Sequence, residues 1–271
     1  MTVFEPKVLE ATSVEADEVV RKVTEPTVPL MPSLPADIVQ LPGGFIDSDG
    51  VLHTEARIRE INGADEEAMA RELMSPTVNV PRVVDLILKR CVLSVGLIDP
   101  VPPGMLLQML TGDRAALMLA VRTLTFGTDW EVPDFPCRLC GQTFGTIVEL
   151  DSIAIKKLDN PMIQEVEVEL RNGHIANVAL LTGEVQLAMV GTGNKTGPEE
   201  ITIAIDRSIR RLDGAPVAGH IAQKMSMADR RKIVQAMADA QPGPKMEEVG
   251  VTCTECGREA NYTVSLVDLF R

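Results

Sequence analysis

The chain has 271 residues, with 39 acidic against 26 basic side chains, a formal charge of −13 and a pI near 4.8. A surface this anionic repels phosphate, and aromatics at 3% of residues leave few stacking platforms, so nucleic-acid binding is not expected. No apolar run approaches the roughly 20 residues of a membrane-spanning helix, and the opening Met1-Thr-Val-Phe-Glu-Pro-Lys7 lacks the basic and apolar regions of a secretory signal, which predicts a reducing, cytoplasmic setting.

Residues 1–42 read as an extended N-terminal arm. Six of the 18 prolines fall here (Pro6, Pro26, Pro29, Pro32, Pro35, Pro42), and acidic residues outnumber basic ones seven to three. Proline at this density removes backbone donors and blocks helix continuation. A short helix is expected at most over Val14–Val23. Such an arm is either a solvated tail or a strap ordered by a neighbouring subunit.

The first half, 43–152, opens with a hairpin whose turn is Asp47-Ser48-Asp49-Gly50, followed by an extended Val51–Ile61. A helix is predicted after Gly63, where Asp65, Glu66 and Glu67 favour the positive end of the helix dipole. A second follows Pro81 over Val83–Val95, with Cys91 as a small buried residue. A third begins near Asp113, keeps Leu117, Val121 and Leu124 on one face, and stops at Gly127. Cys137-Arg-Leu-Cys140-Gly141 and a short strand, Thr146–Leu150, close the half.

The second half, 160–271, repeats this order. Val166–Arg171 and Ile175–Leu181 flank Asn172-Gly173, a dipeptide suited to the positive φ angles of a tight turn. Gly183 opens a helix, and Ile201–Asp213 corresponds to Val83–Val95. Ser226 and Asp229 have capping-box spacing before a helix carrying Ile233 and Met237, which Pro242-Gly243 ends. Cys253-Thr-Glu-Cys256-Gly257 and a strand at Tyr262–Leu266 follow.

With Met109 placed over Met225, an offset of 116, the segment 109–150 shows 11 identities in 42 positions. Among them are Asp113-Arg114 on Asp229-Arg230, Gly127 on Gly243, Cys137 and Cys140-Gly141 on Cys253 and Cys256-Gly257, and Leu150 on Leu266. The expected fold class is α+β, a tandem duplication of a hairpin–helices–knuckle–strand unit.

The two CxxCG turns carry the chemistry. Each sets two thiolates on one side of a knuckle, about 3.5–4 Å apart, and two knuckles complete a zinc tetrahedron. Cys137, Cys140, Cys253 and Cys256 are the candidate ligands of one structural Zn2+, a zinc ribbon split across the halves and lying near a pseudo-two-fold axis. Disulfides are disfavoured without a secretion signal. A dithiol redox site needs one CxxC at a helix start, whereas a strand follows each motif here. Four thiolates leave no open position for a catalytic water.

His53 and His174 lie just past the hairpin turns and His220 in a polar loop; none has metal spacing to another, and all read as structural or solvated. Gly191-Thr-Gly-Asn-Lys195-Thr196-Gly lacks the Gly-Lys adjacency of a phosphate-binding loop and reads as a flexible loop. No nucleophile–base pair emerges, so no catalytic residue and no enzyme is expected.

The block Leu41-Pro-Gly-Gly-Phe-Ile-Asp-Ser-Asp-Gly50, then Glu55–Ala68 (Glu-Ala-Arg-Ile-Arg-Glu-Ile-Asn-Gly-Ala-Asp-Glu-Glu-Ala), Gly112-Asp-Arg114 and the knuckle leading to Val148-Glu-Leu150 resemble the bacteriophage baseplate protein family of T-even type, a baseplate hub or tail assembly component of contractile tails. The resemblance spans roughly 41–271 and leaves the arm outside. It implies a virion or assembly protein made in the bacterial host cytoplasm, binding other tail and baseplate proteins, with the arm wrapping a neighbour. The alternatives are an assembly chaperone absent from the mature particle, and a zinc-ribbon regulator of transcription.

Overall fold

In a computed structural model, residues 37–74, 79–191, 195–217, 219–247 and 249–270 are described. The Val14–Val23 segment and five of the arm's prolines lie outside them. Among the described residues, a strand already precedes the expected boundary at residue 42: β1 covers Ile38–Ile46 and pairs with β2, Leu52–Ile58. The end of the arm read from sequence therefore belongs to the body. Pro42-Gly-Gly44 falls in the stretch between Gln40 and Phe45 where the β1–β2 register shifts, an irregularity that tolerates proline in a strand.

Helix α1 spans Gly63–Leu73, capped by Asn62, whose side chain accepts from the amides of Ala64 and Asp65 while Asp65 reaches back to the Asn62 amide. Helix α2 spans Val80–Cys91 and β3 spans Val92–Val95. The continuous helix expected over Val83–Val95 is thus corrected to a helix and a strand. Asn79 caps α2 and Pro81 sits in its first turn, where no amide donor is needed. Val92-Leu-Ser-Val95 then leaves to pair with β2, as suits its branched residues. A short helix α3, Met105–Gln108, precedes α4, Thr111–Phe126, and β4 (Asp129–Pro136) pairs with β5 (Thr143–Glu149).

After β6 (Ile155–Lys156) the second half runs β7 (Glu165–Glu169), β8 (Ile175–Ala179), α5 (Gly183–Val190), α6 (Gly197–Ser208), β9 (Ile209–Leu212) and β10 (Ala215–Pro216). Next come α7 (Met227–Ala240), β11 (Gly243–Pro244), β12 (Val249–Thr252) and β13 (Glu259–Tyr262). The stretch Ile201–Asp213 divides as its counterpart did: α2 and α6 are both 12 residues long, and β3 and β9 both 4. The closing strand expected over Tyr262–Leu266 is corrected to β13, because each CxxCG is the turn of a two-stranded ribbon, β4–β5 or β12–β13.

The described residues form three apolar cores. One lies mainly in the first half around Ile58, Val83, Leu88 and Leu117, joined by Val267 from the second. Another lies inside the second around Val178, Ile205, Ile233 and Met237. The third is built jointly: Phe135, Cys137, Phe144 and Val148 from the first ribbon meet Val249, Val251, Cys253 and Tyr262 from the second. Neither ribbon could bury that face alone, since an isolated hairpin is marginal in water.

The halves also meet at the start of α4. Leu110 bridges Thr182, and the Thr111 amide donates to Leu181 O at 2.9 Å. Gly112 lies against the Pro242–Gly243 backbone, where a Cβ would fall 1.6 Å from Pro242 O, and Gly183 lies flat on the Arg114 side chain.

Asp113 and Arg114, side by side at that junction, are 0% and 1% exposed. Asp113 Oδ1 accepts from the Gly43 amide at 2.7 Å while its Oδ2 has no partner. Burial, only partly offset by the Gly43 and Gly44 amides, pushes its carboxyl up to about 7. The folded state therefore keeps a proton that the unfolded chain releases near pH 4. For this group, stability is fully present at low pH and is lost as pH rises toward 7. Asp113→Asn keeps the acceptor for Gly43 without the charge. We expect the variant to exceed the parent at pH 8 by a few kcal/mol, at most about 4, with the gain vanishing near pH 4. Urea unfolding of both proteins across this range checks it; a pH-independent difference would contradict the assignment.

Candidate metal centre

Each knuckle is shaped by the same backbone bonds. The Cys137 amide donates to Gln142 O at 2.9 Å and Gly141 N to Cys137 O at 2.9 Å; Cys253 and Gly257 repeat this with Arg258 O and Cys253 O at 3.0 and 2.8 Å. Gly141 and Gly257 take φ of +76° and +67°, in the left-handed region that a side chain would strain. That conformation reverses the chain into β5 and β13.

The structure brings together all four cysteines expected from sequence. Their sulfurs lie within 4.8 Å of one another, with Cys137–Cys256 and Cys140–Cys253 each at 3.9 Å. Metal–sulfur bonds of about 2.3 Å give a tetrahedron with edges of roughly 3.8 Å, so one ion fits this set with little adjustment. No disulfide is formed. Four soft donors with tetrahedral spacing favour zinc-like ions over hard cations.

The four sulfurs divide in pairs: burial and the neighbouring thiols push Cys253 up, the neighbouring thiols together with burial push Cys140 up to about 11, and Cys137 and Cys256 are lowered. Burial opposes ionisation of Cys137, but the Cys140 and Leu139 amides together with the Cys140 and Cys253 thiols outweigh it and bring its thiol down to about 6; the Leu139 amide lies 3.4 Å from the sulfur. The Arg258 amide, likewise working against burial, lowers Cys256. Around the cluster, Phe135 meets Tyr262 edge-on at 4.4 Å, and the Tyr262 hydroxyl accepts from the Arg138 amide at 3.2 Å. Arg258 Nη2 reaches Leu139 O at 3.3 Å. Each knuckle is thus tied to the opposite ribbon by polar bonds as well as by its sulfurs.

Comparison with family models, curated proteins and solved structures finds no match.

The other candidates stand apart from this cluster. His53 is buried with Nε2 at 2.9 Å from Asp47, His174 is 2.5 Å from Asp213 and His220 is 3.0 Å from Asp206. Each aspartate also accepts backbone amides of the adjoining turn or loop, so the pairs brace local structure. Residues 192–194 of the glycine-rich segment lie outside the described residues; Thr196 caps α6 with Glu199. Cys91 is 0% exposed and burial raises its thiol to about 11. No helix among the described residues is long and apolar enough to cross a membrane.

Sequence reasoning did not find the buried Asp85–Arg114 pair. Arg114 Nη1 donates to Leu106 O at 2.6 Å and lies 3.7 Å from Asp85, while its Nε and Nη2 have no partner. The available signal was the repeated Asp-Arg dipeptide, which marks a helix start without revealing its burial.

Proposed function

We propose that this chain is a structural or assembly protein of a contractile phage tail baseplate, a duplicated α+β body clamped by one zinc and free of catalytic function. One observation carries the architectural half of this reading: each half supplies two of the four clustered sulfurs. A tetrathiolate site has no place for substrate or water, so its metal would serve to join chain segments. The tail assignment comes from the resemblance between residues 41 and 271.

Duplication is supported by contacts as well as order. Arg114 reaches Asp85 at 3.7 Å on α2, and Arg230 reaches Thr202 at 2.9 Å on α6. Asp85 and Thr202 hold the same place in helices of equal length (85 − 80 and 202 − 197 are both 5). The preceding aspartates each accept an amide from the hairpin of their own half: Asp113 from Gly43, Asp229 from Arg171.

The test is quantitative mass spectrometry of purified tails against infected-cell lysate. A baseplate component is enriched with the particles at a fixed ratio to other tail proteins. Enrichment only in assembly intermediates would favour the chaperone role, and absence from both would refute the proposal.

A further inference from the structure

The four cysteines differ in access. Cys137 and Cys253 are buried, whereas Cys140 and Cys256 are partly exposed. Both 3.9 Å sulfur contacts join one accessible thiol to one buried thiol, and both run between the knuckles: Cys140 to Cys253 and Cys256 to Cys137. A small oxidant reaching either accessible sulfur therefore meets a group that has, 3.9 Å away, a shielded thiol of the other half of the chain. We propose that the cluster is a redox latch: oxidation by a hydroperoxide releases the metal and turns the two cross-knuckle contacts into disulfides that keep the halves joined. Metal release rests on the zinc reading above; the disulfide pairing rests on sulfur placement alone.

The chemistry balances with the hydroperoxide as sole oxidant. The accessible thiolate attacks the peroxide O–O bond, forming S–O and expelling hydroxide, which takes up a proton. The buried thiolate then attacks the sulfenic sulfur, forming S–S and expelling a second hydroxide, also protonated to water. Two thiolates lose two electrons, and one peroxide becomes two waters. A metal left with two ligands departs as the free cation, and a second peroxide oxidises the remaining pair. Each contact closes by roughly 2 Å to reach a disulfide, a distance that side-chain rotation can supply. A thiol reductant would reopen both bonds by exchange, so the latch is reversible.

The experiment uses the full chain purified with its metal. Metal content is measured first, then hydrogen peroxide is titrated in while a chromophoric chelator reports release and peptides are mapped without reduction. The expected result is roughly two peroxides consumed per metal released, with Cys137–Cys256 and Cys140–Cys253 linked peptides. Linkage within the knuckles, Cys137–Cys140 and Cys253–Cys256, would overturn the proposal, as would sulfinic acids without disulfides. A chain found metal-free at the outset would refute the zinc reading, while its disulfide map would still decide the pairing.

Discussion

Cys137→Ser and Cys253→Ser should each abolish tight metal retention and unfold the joint ribbon core before the rest of the body. Both side chains are almost fully buried, at 4% and 1% exposure, within the same cluster as Phe135, Phe144 and Tyr262. Structural zinc contributes roughly 10–16 kcal/mol of apparent binding energy in small peptides, comparable with the whole stability of a typical domain. The cores around Leu117 and Ile233 contain none of the four ligands. Unfolding should therefore split into two transitions, with the ribbons β4–β5 and β12–β13 becoming protease-sensitive first. A single cooperative transition at the parental midpoint, with metal retained, would show that the cluster does not hold the halves.

The second large effect concerns a backbone crossing that involves no metal. Gly112→Ala would place a methyl 1.6 Å from Pro242 O and 2.4 Å from its carbonyl carbon, both backbone atoms that cannot swing aside. Separating the two segments would disturb β6–β11 pairing and the Thr111 bond to Leu181 O. We expect a loss of more than about 3 kcal/mol, at or beyond the upper range of overpacking costs, or no folded protein. Position 228, the repeat equivalent by the offset of 116, is an exposed alanine in α7. Ala228→Gly should cost only about 1 kcal/mol, the intrinsic helix penalty. This asymmetry checks the prediction: if chemical denaturation gives both variants the same small loss, the crossing is not as tight as described.

Legibility from sequence followed the range of the interaction. The knuckles are readable because each CxxCG obeys a local spacing, and two such motifs in one chain point to a single four-sulfur site. The Asn172-Gly173 turn, the start of α1 and the stop at Gly127 were equally local, each set by φ preference or capping within a few residues. What failed depended on partners. Val92–Val95 continues the apolar spacing of α2, and only its pairing with β2 makes it a strand. Strands β4 and β12 escaped notice because their burial comes from the opposite ribbon. Ile38–Pro42 read as arm because prolines cluster there, whereas pairing with β2 and the Leu158 amide bond to Pro42 O place it in the body. Nothing local announces that Asp113 and Arg114 are buried while Arg230, in the repeat position, is partly exposed.

The central claim, that one tetrathiolate metal joins the two halves, is tested most directly by metal analysis combined with X-ray absorption on the purified full chain. The account predicts about one zinc per chain surrounded by four sulfurs at roughly 2.3 Å. Two metals per chain, a shell containing nitrogen or oxygen ligands, or a folded chain free of metal would contradict it.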